Sequence, residues 1–393
     1  MQKIDVLIQE ADKNLTICNA CRYCEGFCPV FPAMERRQSF ASSDINYLAN
    51  LCHNCSECFY ACQYAPPHEF GVNIPQSLAK IRKASYQQYA WPGPFARLFN
   101  NNGLVASLAL GLGAGIILLL FIALNGGLGQ LFSGAHGGDF YAFFPHNTLV
   151  LAFGSVFLFA LLALLMGFLN FWRDSGETIR DLGNLSAWRQ AWSDALSLRH
   201  LHGQEDRGCT YPDDNHSHLR RYFHHFTAYG FMLCFAATAT GTLFHYVLGW
   251  SAPYSFFSLP KLLGTLGGTG LLVGPAGLLY LKLKRDPNTA DTAQTGMDIA
   301  FIALLWLTGA TGLLLMLLRE TGLLGLMLVV HLGFVMSLFL TLPYGKFVHG
   351  LYRLGALAKN ALELQREAAG KTVVVSKPRE NSVKFYQSIK DNK

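Results

Sequence analysis

The sequence predicts a mainly α-helical membrane protein, a small cysteine-rich head followed by six transmembrane helices, with both termini cytoplasmic. Three observations carry this expectation. Eight of the ten cysteines crowd into residues 18–62, six later stretches are apolar for about 20 residues each, and the basic residues fall almost wholly on one side of those stretches. The chain is 51% hydrophobic and only 14% charged, a balance that suits a membrane protein better than a soluble enzyme of this length.

The head, residues 1–90, opens on a polar stretch without the apolar core of a secretion signal. Ile4, Leu7 and Ile8 are spaced for one face of a short amphipathic helix. Two cysteine runs of identical spacing follow: Cys18, Cys21, Cys24 and Cys28, then Cys52, Cys55, Cys58 and Cys62. This is the four-cysteine run by which bacterial-type ferredoxins hold a pair of 4Fe–4S cubes, the fourth cysteine of each run serving the other cluster. Cys18, Cys21, Cys24 and Cys62 are therefore assigned to one cluster, and Cys52, Cys55, Cys58 and Cys28 to the second. Disulfides would call for an oxidising compartment, and zinc for two close pairs of ligands rather than two runs of four. Gln63 follows the second run where Pro29 follows the first, a departure that touches no ligand.

The six apolar stretches are 104–124, 148–172, 223–249, 262–281, 299–318 and 323–347. The fourth is glycine-rich and contains Pro275, both better tolerated in membrane helices than in soluble ones. Of the 31 basic residues, all but Lys261 and Arg319 lie on the side that also carries the cysteines. The positive-inside rule makes that side cytoplasmic, where thiols stay reduced, which points to a bacterial cytoplasmic (inner) membrane. A net charge of +6 does not indicate nucleic acid: residues 1–100 hold nine Lys and Arg against eight Asp and Glu, which is no phosphate-binding stripe.

Between head and bundle, residues 91–103 read as an interfacial linker, with Trp91, Pro92, Pro94 and Phe95 at the level where aromatic residues collect. The membrane domain, 104–355, contains a polar cytoplasmic loop at 173–222. Trp188 and Trp192, four apart, mark one face of a short docked helix there. Cys209 with His200, His202, His216 and His218 offers metal-ligand chemistry, but its spacing fits no standard site, so a structural or docking loop is the simpler reading. Residues 356–393 form a cytoplasmic tail with a β-prone patch at 372–375, expected to be partly disordered or docked on the cytoplasmic domain.

Ionisable residues within membrane spans are costly, so each is a functional candidate. His224 and His225 lie near the cytoplasmic end of the third span and His245 near the other end; His331 lies in the sixth, and His349 just past it. On one straight helix, the 18 residues from His331 to His349 make five turns, so both face one way, about 27 Å apart along the axis. His245 lies roughly 60° from the face of His224 and roughly 160° from that of His225, which favours His224. The two helices thus carry depth-matched histidines: His224 or His225 with His349, and His245 with His331. That is the arrangement by which facing helices hold b-type haem, one or two here. Gly230, Gly241 and Gly333 are candidates for admitting a flat macrocycle. Inter-helix hydrogen bonding or a proton path is the competing account of the same histidines. His146, at the outer edge of the second span, reads as interfacial.

Clusters and haem pass electrons singly, whereas flavins and quinones exchange them in pairs. The chain of carriers implied runs from a soluble donor through two clusters and haem to a membrane quinone, making the chain an electron-transfer oxidoreductase subunit. The stretch CHNCSECFYACQYAPPHEFGVNIP, the loop GCTYPDDN leading into RRYFHH, and six spans behind a ferredoxin-like head resemble the tricarballylate-utilisation protein B family, also called citrate-utilisation protein B. The resemblance covers nearly the whole chain. The membrane half also resembles, in architecture, the haem-bearing gamma subunit of respiratory nitrate reductases. The family resemblance implies a partner, a soluble FAD-dependent dehydrogenase on the cytoplasmic side that converts tricarballylate to cis-aconitate and is reoxidised through this chain. No GxGxxG follows a predicted strand, so the flavin site is expected on that other polypeptide. Two alternatives stay open: the same relay serving a lactate, glycerol 3-phosphate or heterodisulfide-type dehydrogenase, or a cluster-based redox sensor without haem.

Overall fold

The computed structural model describes residues 2–101, 103–132 and 138–371. The head is built from α1 (Gln2–Cys21), α2 (Val30–Glu35), α3 (Ser42–Leu51), α4 (Glu57–Tyr60) and α5 (Ile74–Tyr89). The amphipathic lead-in is longer than its sequence suggested: α1 continues through Cys21 and ends where Arg22 turns left-handed, at φ 56°. At the start of α5, the Asn73 side chain accepts the Gln76 amide at 3.1 Å and Pro75 sits in the first turn, a favourable helix start. Leu15, Phe31, Met34, Ile45, Leu48 and Leu78 fill the space between these helices.

A further helix, α6 (Gly93–Asn101), leads into the bundle. Six helices are long and apolar enough to cross a membrane: α7 (Gly103–Gly126), α8 (His146–Asp174), α10 (Leu219–Leu248), α11 (Leu259–Leu283), α12 (Thr295–Leu318) and α13 (Leu324–Thr341). The glycine-rich fourth span is a continuous helix that includes Pro275. Between α8 and α10 lie α9 (Leu185–Ser197) and a two-residue antiparallel pair, β1 (Cys209–Thr210) with β2 (His216–Ser217). On α9, Trp188 stacks on Trp172 while Trp192 is exposed.

Two features differ from the sequence expectation. The sixth span stops at Thr341, and after a turn through 342–347 the chain enters a separate helix, α14 (Val348–Ala368). His331 and His349 therefore do not share one straight helix. The second difference is one of extent: residues 356–363, placed in a polar tail, are the buried part of α14, while Leu364 and Glu367 beyond them are exposed. Ala356, Leu357, Ala361 and Leu362 pack with Leu48, Tyr86 and Trp172 in a single core joining the head, the end of α8, α9 and α14. Charged residues that made the segment look solvent-facing are buried in a network: Arg37 bonds Glu363 and Asp44, and Lys359 bonds Glu177 and Glu363. Buried charges are tolerated when paired in this way. The patch at 372–375 lies outside the described residues.

Glycines set which helices touch. A Cβ on Gly230 of α10 would stand 3.0 Å from Gly267 O and from the Gly270 backbone of α11, and one on Gly333 of α13 would meet Gly111 O of α7 at 3.1 Å. Gly230 and Gly333 thus serve close helix crossings rather than the approach of a macrocycle; beside Gly241 only Tyr254 lies near, at 3.9 Å.

Candidate metal centres

The end of α1 presents Cys18 and Cys21, and the turn that follows, begun by Arg22 N–H donating to Cys18 O at 2.8 Å, presents Cys24 and Cys28. The second run starts at the C-terminus of α3 with Cys52. Asn54 and Ser56, both left-handed at φ 55° and 72°, wrap the chain so that Cys55 and Cys58 turn inward, and Cys62 follows α4. A cavity of about 230 Å³ is lined by Cys18, Cys21, Cys24 and Cys62, together with Cys58. A tighter pocket is lined by Cys28, Cys52, Cys55 and Cys58. The chain thus brings together two sets of four, each closed by the last cysteine of the other run.

None of the ten cysteines is in a disulfide. Among the described residues no three His, Cys, Asp or Glu side chains converge closely enough for a single metal ion, whereas a four-iron cube holds its four thiolates further apart, one per iron. Burial, and then the neighbouring thiols Cys62, Cys24 and Cys21, push the Cys18 thiol up to about 12; burial, Cys209 and Cys52 do the same to Cys55. Thiols held so high become thiolates when a cation takes the place of the proton. The donor sets fit two 4Fe–4S clusters.

The histidines divide differently from their sequence pairing. His224 on α10 and His349 on α14 face each other edge to face, ring centroids 6.1 Å apart. The separation leaves room for a metal between the rings with bonds of about 2 Å on each side, so the pair is a candidate for holding a b-type haem. The Nδ1 of His349 lies 2.5 Å from Lys346 O, the contact that fixes a ligating ring's tautomer and leaves Nε2 free. Burial, with Lys346 and Arg353 adding to it, holds His349 well below the ordinary histidine range, in the neutral form a metal takes. His224 Nδ1 is buried without a hydrogen-bond partner. His225 points elsewhere, toward Tyr229.

The deeper pair does not form. The His245 ring stacks on His146 at 3.8 Å, too close for a macrocycle between them, and His331 Nδ1 lies 3.0 Å from Thr311 Oγ1 of α12. The reason lies in the packing. α10 lies along α11 through the glycine seam, and the break after Thr341 removes the shared face that the 18-residue spacing presumed. His146, read as interfacial, is instead the partner of His245.

Three arginines, missed in the sequence, connect the second cysteine set to His224 and His349. Arg220, one turn before His224, donates to Asn54 O at 2.8 Å and His53 O at 2.9 Å. Arg353, one turn after His349, donates to Cys52 O at 2.6 Å, as does Arg82 of α5 at 2.7 Å. The legible signal was the spacing of four from arginine to histidine on both helices.

The loop at 198–218 closes over the same cluster set. Thr210 Oγ1 donates to Cys55 O at 3.3 Å, buried Cys209 packs beside Cys55, and His200 lies against His53 at 5.2 Å. His202 contacts Asp206, His216 contacts Gly208 O and His218 contacts Asp206 O. Among the described residues these side chains form no group of three potential metal ligands, and the loop docks on the second cysteine set.

A cysteine-rich head of ferredoxin type, seated on six helices of membrane-spanning length, defines a membrane iron–sulfur protein. The family described as "Citrate utilization protein B" matches residues 97–370, and "Citrate utilization protein B Fer4-like domain" matches residues 11–88. Citrate utilization protein B of Escherichia coli is 52% identical over 358 residues, covering 91% of this chain and 93% of that protein. The chain belongs to the citrate utilization protein B family. No solved structure matches it.

Proposed function

We propose that this chain is a membrane electron relay, taking electrons from a soluble FAD-dependent tricarballylate dehydrogenase through two 4Fe–4S clusters and a b-type haem to the quinone pool. The observation that carries the reading is the bridge just described: Arg220 and Arg353 each grip the backbone around Cys52–Asn54 while standing one turn from His224 and His349. Two candidate redox sites tied together through the same two side chains support an electron path between them.

Bound clusters and haem would supply carriers that accept one electron at a time. The chain's own residues hold and orient them. The eight cysteines provide one thiolate per iron, Lys346 O sets the His349 tautomer, and the loop carrying Cys209 shields the second set from water. The distribution of basic residues supports placing the head on the cytoplasmic face of a bacterial inner membrane, where a soluble flavoprotein can reach it. A quinone is the acceptor because it is the abundant two-electron carrier that diffuses in the bilayer. The tricarballylate assignment follows from family membership.

The test is a dithionite-reduced minus oxidised spectrum of the purified full-length protein and of His349→Ala. A b-type haem signal in the unaltered protein, lost in the variant while both cluster EPR signals persist and quinone-analogue reduction stops, is the expected result. A haem-free unaltered protein, or unchanged haem in the variant, overturns the relay.

A further inference from the structure

The basic groups around the two cysteine sets are unequal. Arg82 is 4% exposed, and its guanidinium donates to Cys52 O at 2.7 Å and Ala49 O at 3.2 Å. Arg353 donates to Cys52 O at 2.6 Å and Asn50 O at 3.3 Å, and Arg220 to Asn54 O and His53 O. All three therefore converge on five carbonyls within the six-residue stretch 49–54, which includes a ligand of the second set. Among the described residues no carboxylate stands within ion-pair distance of any of them. Arg220 instead lies 4.5 Å over the Tyr211 ring, with Arg285 on the same ring at 5.2 Å.

Arg82 is buried and Arg220 and Arg353 are half-buried; cations withdrawn from water without anions are costly, and several together repel one another. Such a cluster is stable next to a centre of negative charge. A 4Fe–4S cube with four thiolates is such a centre, and it gains a further negative charge when reduced. Around the first set the comparable contact is Arg22 Nε to Asn19 O at 3.3 Å, an exposed position, where solvent and salt screen the charge. Glu57 lies near both Cys24 and Cys55, so its carboxylate does not distinguish the two.

We infer that Arg82, Arg220 and Arg353 make the second cluster the more easily reduced of the two, and so set the direction of flow toward the membrane. They act as positioning residues: each lends positive charge to the added electron in a low-dielectric setting, and none is a ligand. An electron moving from the first cluster to the second oxidises the one and reduces the other, with no bond or proton exchanged. The electron comes originally from a reduced flavin, replaced by dithionite in the test. The same contacts explain why Arg220 and Arg353 sit one turn from His224 and His349: the more reducible cluster is the one those two helices grip.

The inference rests on the two-cluster reading and is independent of haem and quinone. The experiment is an EPR-monitored redox titration of the full chain in detergent, with the two signals assigned by Cys21→Ser and Cys55→Ser. The unaltered protein is expected to show two midpoint potentials, the higher belonging to the cluster disturbed by Cys55→Ser. Arg220→Gln and Arg353→Gln each move that potential to more negative values and leave the other unmoved, while Arg220→Lys, which keeps the charge, restores most of the shift. A higher potential on the Cys21 side overturns the inference without any arginine variant having to fold. So does a second-cluster potential that Arg353→Gln leaves in place, or one that Arg220→Lys lowers as far as Arg220→Gln does. If the unaltered protein lacks two cluster signals, it is the two-cluster reading that fails.

Discussion

Arg37 of the head and Glu363 of the last helix meet at 2.5 Å, Nη2 to Oε1, with both side chains fully buried. This contact fastens the C-terminal helix beneath the cysteine domain, and it has neighbours. Asp44 also holds Arg37 at 2.8 Å, and Lys359 reaches Glu363 at 3.0 Å. Removing Glu363 leaves Arg37, Lys359 and Arg36 each short of a partner. Glu363→Ala is expected to cost about 3 kcal/mol, read as earlier thermal unfolding and faster proteolytic release of the head. Glu367→Ala, which removes a 60% exposed partner of Arg36, is expected to cost less than about 1 kcal/mol.

The same network predicts a pH dependence. Burial alone would raise the Glu363 carboxyl, but Lys359 and then Arg37 outweigh it and hold it below the ordinary carboxylate range. A lowered folded-state value gives stability that is complete above the unfolded-state value, about 4.3 for glutamate, and is lost as pH falls through the lower folded value. The contribution of this carboxylate, read as the difference in thermal stability between the unaltered protein and Glu363→Gln, should therefore be constant from pH 7 to about 5 and decline below about 4. Glu363→Gln should show a smaller decline over that last interval, since it has no carboxylate there to protonate.

Crossed ligation makes a prediction that chain order alone would not. Cys28 lies in the first run but lines the pocket with Cys52, Cys55 and Cys58. Cys28→Ser should therefore give the EPR spectrum of Cys55→Ser, and Cys62→Ser that of Cys21→Ser, with iron falling from roughly eight to roughly four per chain in each. A Cys28→Ser spectrum matching Cys21→Ser would mean that each run holds its own cluster.

Much of this arrangement was readable in the chain, and what was not has a physical reason. Hydropathy marks the six long helices because a helix in lipid must carry its apolar surface all round. The doubled spacing marks the two cysteine sets because one thiolate per iron leaves little freedom. The end of α13 was not readable: Pro343, Gly345 and Lys346 sit in a run that remains apolar on average, so a hydropathy window passes through the turn. Nor was the burial of Lys359 and Glu363, whose charges read as solvent-facing until Arg37 and Glu177 arrive from residues far away in the chain. Pairing the deep histidines failed for the same reason: it required knowing that α10 lies against α11, a matter decided by glycines rather than by histidine spacing.

That glycine seam is itself testable. A Cβ on Gly277 would overlap Phe223 at 2.2 Å, and one on Gly274 would approach Thr227 Oγ1 at 2.4 Å. Gly274→Ala is expected to destabilise the bundle by about 1–3 kcal/mol through overpacking, measured as midpoint loss in thermal unfolding of the solubilised protein. Gly113→Ala on α7, where nothing stands within 4 Å of the added atom, should be neutral. Equal effects at the two positions would show that α10 and α11 are not in close contact.

The last prediction separates the sequence pairing of the histidines from the structural one. Spacing alone makes His331 an axial ligand, and its loss would then remove haem. The structure instead places its Nδ1 3.0 Å from Thr311 Oγ1, with the ring packed over Gly312, and leaves the 6.1 Å pair, His224 and His349, for the macrocycle. His331→Leu should then keep the haem content of the unaltered protein, near one per chain, while losing roughly 1 kcal/mol of stability with the hydrogen bond. His224→Ala should lose the haem, and His225→Ala should retain it, since that ring turns toward Tyr229. Haem extracted and counted against protein decides the matter. If His331→Leu halves the haem while His224→Ala removes the other half, the bundle holds two, and the deep site forms by separating His245 from His146.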